Sequence, residues 1–215
     1  MVQMGFENTF GPAAPPLPVM DDPSWVRRAM LVEQVTMRYR TGEFTPAQRC
    51  AAEDAFRVAL YDGEPLVRCV LADSLKRLVD IPRDIIRKLA HDEAQVARPI
   101  LQHSPALNDD DLIRAAREGG RSHCLAITER SSVSTRVAEA LYELRDPIIL
   151  RRLLANDGAS LPEGMLHAIL SGFGTLPGVV ETMARRRLLP LSIVDRLATY
   201  DLPNNPSRER RRLAG

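Results

Sequence analysis

Two rows of large apolar residues run through this chain at nearly the same period, and together they fix what it can fold into. The first row is Ile81, Leu107, Val133, Leu161 and Leu189, with steps of 26, 26, 28 and 28 residues. Each member stands just before a proline or a capping residue: Pro82, Asn108, Ser134, Pro162 and Pro190. That pairing marks a helix start whose preceding apolar residue packs back on the first turn. Further apolar residues follow four and eight places on: Ile85 and Leu89, Val137 and Leu141, Met165 and Ile169, Ile193 and Leu197. The Leu107 unit is displaced by one, to Leu112. Positions i and i+4 share a helix face, so this stripe is expected to be buried. The second row is Leu71, Leu101, Ile127, Leu154 and Met183, with steps of 30, 26, 27 and 29. Interleaved rows of one period mean a two-helix unit repeated five times, each pair burying its apolar face against its neighbours.

The expected fold is therefore all-α, an α/α superhelix of about five two-helix repeats preceded by an N-terminal helical pair. No stretch alternates apolar and polar residues over strand length. The first helix is expected to open with Asp22 as N-cap and Pro23 at its first position, and to stop before Thr41-Gly42. Thr45-Pro46 opens the second, which runs through Phe56 and Leu60 toward Gly63. The organisation read along the chain is a flexible Pro-rich arm at 1–21, a helical pair at 22–63, the repeat array at 64–200 and a basic tail at 201–215.

Composition excludes several classes. Hydrophobic residues make up 45% and charged residues 27%, with a formal net charge of +1, which rules against a strongly basic nucleic-acid wrapper and an acidic disordered chain. Of the 29 basic residues only Lys76 and Lys88 are lysines. Cys50, Cys69 and Cys124 are odd in number and widely spaced, which fits a reducing compartment. The first twenty residues hold no Lys or Arg and four prolines, unlike a secretory signal. The longest apolar uncharged run, Met165 to Val180, is broken by glycines and short for a bilayer span. A cytoplasmic location without a membrane span is expected.

The units carry a recognisable short motif. Asp146-Pro147-Ile148-Ile149-Leu150-Arg151-Arg152-Leu153-Leu154-Ala155-Asn156 and Glu64-Pro65-Leu66-Val67-Arg68-Cys69-Val70-Leu71-Ala72-Asp73 resemble HEAT-like repeats and the related leucine-rich-repeat variant. The stretch from Leu66 to Asn156, above all Leu71 to Leu75, Ile81 to Asp92 and Pro99 to Pro105, resembles a bacterial family of helical repeat proteins catalogued as a domain of unknown function. The resemblance implies a fold and no catalytic residues.

Site chemistry is sparse. His91, His103, His123 and His167 show no His-x-x-x-His spacing, and no metal or other cofactor is expected. Gly172 to Gly178 lacks the spacing of a phosphate loop and reads as an inter-repeat turn, with Pro177 opening the next helix. Asp109-Asp110-Asp111 fits the first turn of a helix, where carboxylates complement the dipole, and no catalytic constellation is found. In helical-pair solenoids the second helix of each pair usually lines the concave face. Its polar positions here carry both signs, and Arg87, Lys88, Arg114, Arg117, Arg136, Glu139, His167 and Arg196 are the candidate partner-binding residues. A mixed face suits a protein with its own patterned charges better than DNA. The first helix carries Trp25, Met30 and Met37 beyond the stripe one packing face needs. Phe6 and Phe10 of the arm or a second subunit would cover them, and a homodimer is the preferred reading.

These features point to a non-catalytic protein-interaction scaffold or regulatory adaptor that binds another protein. The alternative is a nucleic-acid-binding protein of the HEAT-like DNA-glycosylase kind, working through the basic C-terminal region. A HEAT-type chaperone or lyase finds no distinguishing residue. From Met183 onward eight arginines face three carboxylates, and Arg208, Arg210, Arg211 and Arg212 form the densest group, without aromatic residues between them. DNA binding at physiological salt is expected to be weak and sequence-independent. In a salt titration by electrophoretic mobility shift, deletion of Pro203 to Gly215 should abolish it and flatten the salt dependence.

Overall fold

The computed structural model of the chain describes residues 22–42 and 44–200. The arm at 1–21 and the tail with Arg208, Arg210, Arg211 and Arg212 lie outside the described residues, as do Phe6 and Phe10. Among the described residues the protein is all-α, with twelve helices and no strand. They are α1 (Trp25–Thr41), α2 (Pro46–Ala59), α3 (Pro65–Leu75), α4 (Arg83–Ala90), α5 (Ala94–His103), α6 (Asp109–Glu118), α7 (Gly120–Thr128), α8 (Thr135–Glu143), α9 (Pro147–Ala155), α10 (Glu163–Phe173), α11 (Val179–Ala184) and α12 (Leu191–Leu197). Contacts divide them into two compact units: Leu101–His103 at the end of α5 belong with the second, and Ser104–Ala106 with the first.

Helix starts follow from local chemistry. At α2, Thr45 and Gln48 form a reciprocal capping box and Pro46 supplies a pre-set first turn. At α9, the Asp146 carboxylate accepts from the N–H groups of Ile148 and Ile149, and Pro147 needs no acceptor. Asn108 and Asp111 make the same box at α6. Pro82, Pro162 and Pro190 differ: each occupies the N-cap itself, and the helix begins one residue later. Two expected starts are displaced. At α1 the cap is Ser24, because the Asp22 carboxylate is engaged two residues ahead, accepting from the Ser24 N–H at 2.7 Å. At α11 the cap is Gly178, whose φ of 80° suits glycine alone, so Pro177 precedes the helix instead of opening it.

In the first unit α1 lies along α3, with α2 against both and α4 beside α3. In the second, α7, α9 and α11 form one row, while α6 packs on α8 and α10 on α12 in the other. The rows meet through α6 and α7, α8 and α9, and α10 and α11. Each unit buries the core positions that the two apolar rows of the sequence predict for it. Leu71, Leu101, Ile127, Leu154 and Met183 are all completely buried, as are Ile85, Leu89, Val137, Leu141, Ile169, Ile193 and Leu197. Of the residues preceding the second helices, Ile81, Leu107 and Val133 are buried, whereas Leu161 and Leu189 are only half-buried.

Helices of nine or ten residues leave a large share of their carbonyls unpaired at the C-terminus. Here side chains from one repeat further on supply the donors. Arg130 donates to the Leu101 carbonyl at the end of α5. Asn156 donates to the Thr128 and Arg130 carbonyls at the end of α7, at 2.8 and 2.7 Å. Arg186 donates to the carbonyl of Leu154 in the last turn of α9 and to those of Asn156 and Ala159 beyond it, at 2.9 to 3.0 Å. Arg130 and Arg186 lie three residues past the buried Ile127 and Met183, so the packing that buries the row also aims the guanidinium. An isolated parallel bridge joins Val133 to Ala159 beside this network, and a Cβ on Gly158 would stand 2.0 Å from the Ser131 carbonyl oxygen.

Leu101→Ala and Leu154→Ala should each cost about 2–5 kcal/mol in urea unfolding, the usual cost of truncating a buried leucine. Asn156→Ala should cost about 1–3 kcal/mol by leaving two carbonyls without a protein donor.

Candidate docking surface

The charges on the second helix of each pair are largely used up within the fold. Arg57 of α2 meets Asp84 of α4 at 2.9 Å. Asp110 of α6 pairs with Arg136 of α8 at 2.8 Å, and Arg117 with Glu143 at 3.2 Å. Ser134 donates to Asp109 at 2.7 Å. Arg196 of α12 donates to the His167 carbonyl and to Ser171 of α10, while the His167 ring lies 3.1 Å from the Ser192 hydroxyl. Residues one repeat apart thus face each other with opposite charge or with a donor and an acceptor.

Of the candidate partner-binding residues, Arg117, Arg136, His167 and Arg196 therefore hold neighbouring helices of their own chain. The Lys88 ammonium stands over the exposed Tyr61 ring at 5.4 Å, and Arg87 accepts from the His91 ring through its carbonyl oxygen when that nitrogen carries the proton. Arg114 and Glu139 are exposed and carry no ion pair among the described residues.

A second set of ion pairs ties first helices to the turns that follow. Arg28 holds Asp62 through two bonds, 2.6 and 2.9 Å. Arg68 holds Asp92 in the same two-pronged way and reaches Glu93. Arg121 binds Asp146 at 2.6 Å. Burial alone would raise the Asp146 carboxyl, but Arg121 and the N–H groups of Ile148 and Ile149 outweigh it and hold it below its ordinary 3.8. Asp62 is likewise opposed by burial and lowered by Arg28 and the Glu64 N–H.

Groups with metal-site chemistry do not converge. Among the described residues no three His, Cys, Asp or Glu side chains stand where they could hold a metal ion. Burial pushes the Cys124 thiol up to about 11, which keeps it protonated and unreactive at neutral pH. Among the described residues no helix is long and apolar enough to cross a membrane.

The remaining feature is on α1. One face of this helix buries Ala29, Val32, Val35, Thr36 and Tyr39. On another, Trp25, Val26, Met30 and Met37 stay 42, 45, 55 and 57% exposed. Val26, Met30 and Met37 follow the spacing of a single stripe. Its C-terminal end runs into a cavity of about 440 Å³ between α1 and the end of α3, lined by Met37, Arg40, Lys76, Arg77, Glu33 and Asp73 among others. Lys76 is neutralised by Asp73 at 2.5 Å. Arg40 and Arg77 are exposed and make no hydrogen bond or ion pair among the described residues. The apolar excess on α1 was legible in the sequence. The cavity was not, because Arg77 lies 37 residues from Arg40 and only the packing of α1 on α3 brings them to one cavity.

The lowered carboxyls set an acid limit. Asp62 and Asp146 stabilise the fold fully above the ordinary carboxylate value and lose that contribution as pH falls through their lower folded-state values. Urea melts should therefore lose stability as pH falls below about 4, and Asp146→Asn should flatten that loss.

Residues 96–200, essentially α5 to α12, match the model of a family described as "Uncharacterised protein conserved in bacteria (DUF2336)". The match reaches the last described helix and begins later than the resemblance read from Leu66 onward, so α3 and α4 lie outside it. No curated protein and no solved structure matches the chain.

Proposed function

We propose that this chain is a non-catalytic scaffold or adaptor of HEAT-like helix pairs that binds another protein. The observation that carries this reading is the exposed apolar stripe on α1. Other large apolar residues such as Val79, Leu188 and Leu191 are exposed as well, but Val26, Met30 and Met37 line up on one face of one helix, with Trp25 at its start, and meet no covering element among the described residues. An exposed patch of this composition, rimmed by polar residues, is characteristic of a protein interface. A cytoplasmic setting is supported by three free cysteines.

The test is site-specific photo-cross-linking in the native host, with the reactive residue in place of Met30 or of the exposed Arg114. The captured protein is then purified and recombined with the full chain. A binary complex with a Kd of about 10 μM or tighter is the expected result. Failure to form any binary complex from either position removes the scaffold reading.

A further inference from the structure

Met37 belongs both to the α1 stripe and to the lining of the cavity beside it, and the chemistry of the two together specifies a partner. Val26 and Met37 are eleven positions apart on α1, about 16 Å of helix, with Met30 between them. That length takes three apolar anchors of a docked helix spaced over three turns. Methionine side chains are flexible and polarisable, which lets them fit anchors of several shapes. At the far end of the stripe Arg40 and Arg77 present two guanidinium groups without a partner among the described residues, into the same cavity that Met37 lines. A planar guanidinium pairs with a carboxylate through two parallel bonds, so two of them select acidic side chains. Glu33 also lines the cavity and offsets part of this charge, and Asp73 is already taken by Lys76.

We propose, resting on the scaffold reading above, that the exposed face of α1 together with the cavity it shares with the end of α3 binds an amphipathic helix of a partner protein, with its apolar face on Val26, Met30 and Met37 and carboxylates one turn beyond, held by Arg40 and Arg77. A second copy of this chain fits less well. An antiparallel self-pairing that sets Val26 against Met37 places Arg40 opposite Pro23 and Glu33 opposite Met30, so the guanidinium gains no carboxylate. The nearby Asp22 is already engaged by Ser24 and Arg27.

The experiment measures fluorescence anisotropy of a labelled helical peptide of about eighteen residues, with leucines on one stripe and two glutamates one turn past the last leucine. The full chain should bind it. Met30→Glu should weaken binding by at least about tenfold. The double variant Arg40→Glu, Arg77→Glu should also weaken it about tenfold and should now prefer the same peptide ending in lysines. All three positions are exposed, so circular dichroism melts of the variants should superimpose on those of the parent chain.

Equal affinity for all variants, or no preference between glutamate and lysine ends, overturns the proposal. So does sedimentation showing a dimer that Met30→Glu converts to monomer while the peptide fails to compete, because the occupant is then a second copy. Removal of residues 1–20 that strengthens peptide binding tenfold or more also overturns it, by making the chain's own N-terminal segment the occupant. Capture of a partner through position 114 and not through position 30 sinks the docking site on α1 and leaves the scaffold reading standing.

Discussion

A helix of nine residues has four carbonyls at its C-terminus with no partner inside it, close to half of its acceptors. A fold built from such helices and packed on both sides must find donors for those groups or lose the free energy that packing supplies. In this protein the donor comes from one repeat ahead: Arg130 reaches α5, Asn156 reaches α7 and Arg186 reaches the last turn of α9. Burial opposes the charge on Arg130 and Arg186 and lowers both, yet a cation beside a helix C-terminus is favoured by the dipole. This reach sets the repeat length. A helix pair much shorter or longer would move the guanidinium off the carbonyls it must meet. The period of 26 to 30 residues in the sequence is thus a packing requirement and a hydrogen-bonding requirement at once.

The same period governs the surface. Arg57 and Asp84 are 27 residues apart, Asp110 and Arg136 are 26 apart, and His167 and Arg196 are 29 apart. Mixed charge on the second helices reads in sequence as a patterned docking face. In the structure much of that pattern is satisfied sideways, between helices of one chain. Exposed pairs such as Arg136 and Asp110 contribute little stability each, on the order of a few tenths of a kcal/mol. Their consequence is for specificity: an incoming ligand would have to break them.

What was legible in the sequence was whatever depends on local pattern. The row from Leu71 to Met183 is completely buried, as are most positions four and eight past the helix-start row, whereas Leu161 and Leu189 of that row are only half-buried. Thr45-Pro46 and Asp146-Pro147 mark helix starts because capping is a contact within four residues. Most of what escaped the sequence joins residues about one repeat or more apart. Arg130 and Arg186 stand among arginines that are mostly solvated, and nothing local marks them as caps. Asp22 looked like a cap because its Pro23 neighbour fits one, but its carboxylate turns back on the Ser24 N–H instead. The Val133–Ala159 bridge and the Arg40–Arg77 cavity likewise need the packed structure.

The position of the α1 stripe follows from the arrangement of the rows. In the second unit α9 has α7 on one side and α11 on the other, so both flanks are covered. Among the described residues α1 packs mainly on α3 and α2, and Val26, Met30 and Met37 on its other flank stay exposed. A helix in that place exposes one flank whatever its sequence, and polar residues there would cost no core contact. The residues present are Val26, Met30 and Met37, with Trp25 at the start. Leaving a large apolar side chain in water forfeits about 1.5–3 kcal/mol relative to burying it. Exposed apolar residues scattered singly carry no message, but three in line that end at two guanidiniums without a partner among the described residues form a surface with polarity along its length. That polarity is what the proposed docking of a partner helix rests on. An uncovered end would gain nothing from placing its cations at one end of its apolar stripe, whereas a bound helix is fixed in direction and register by that arrangement.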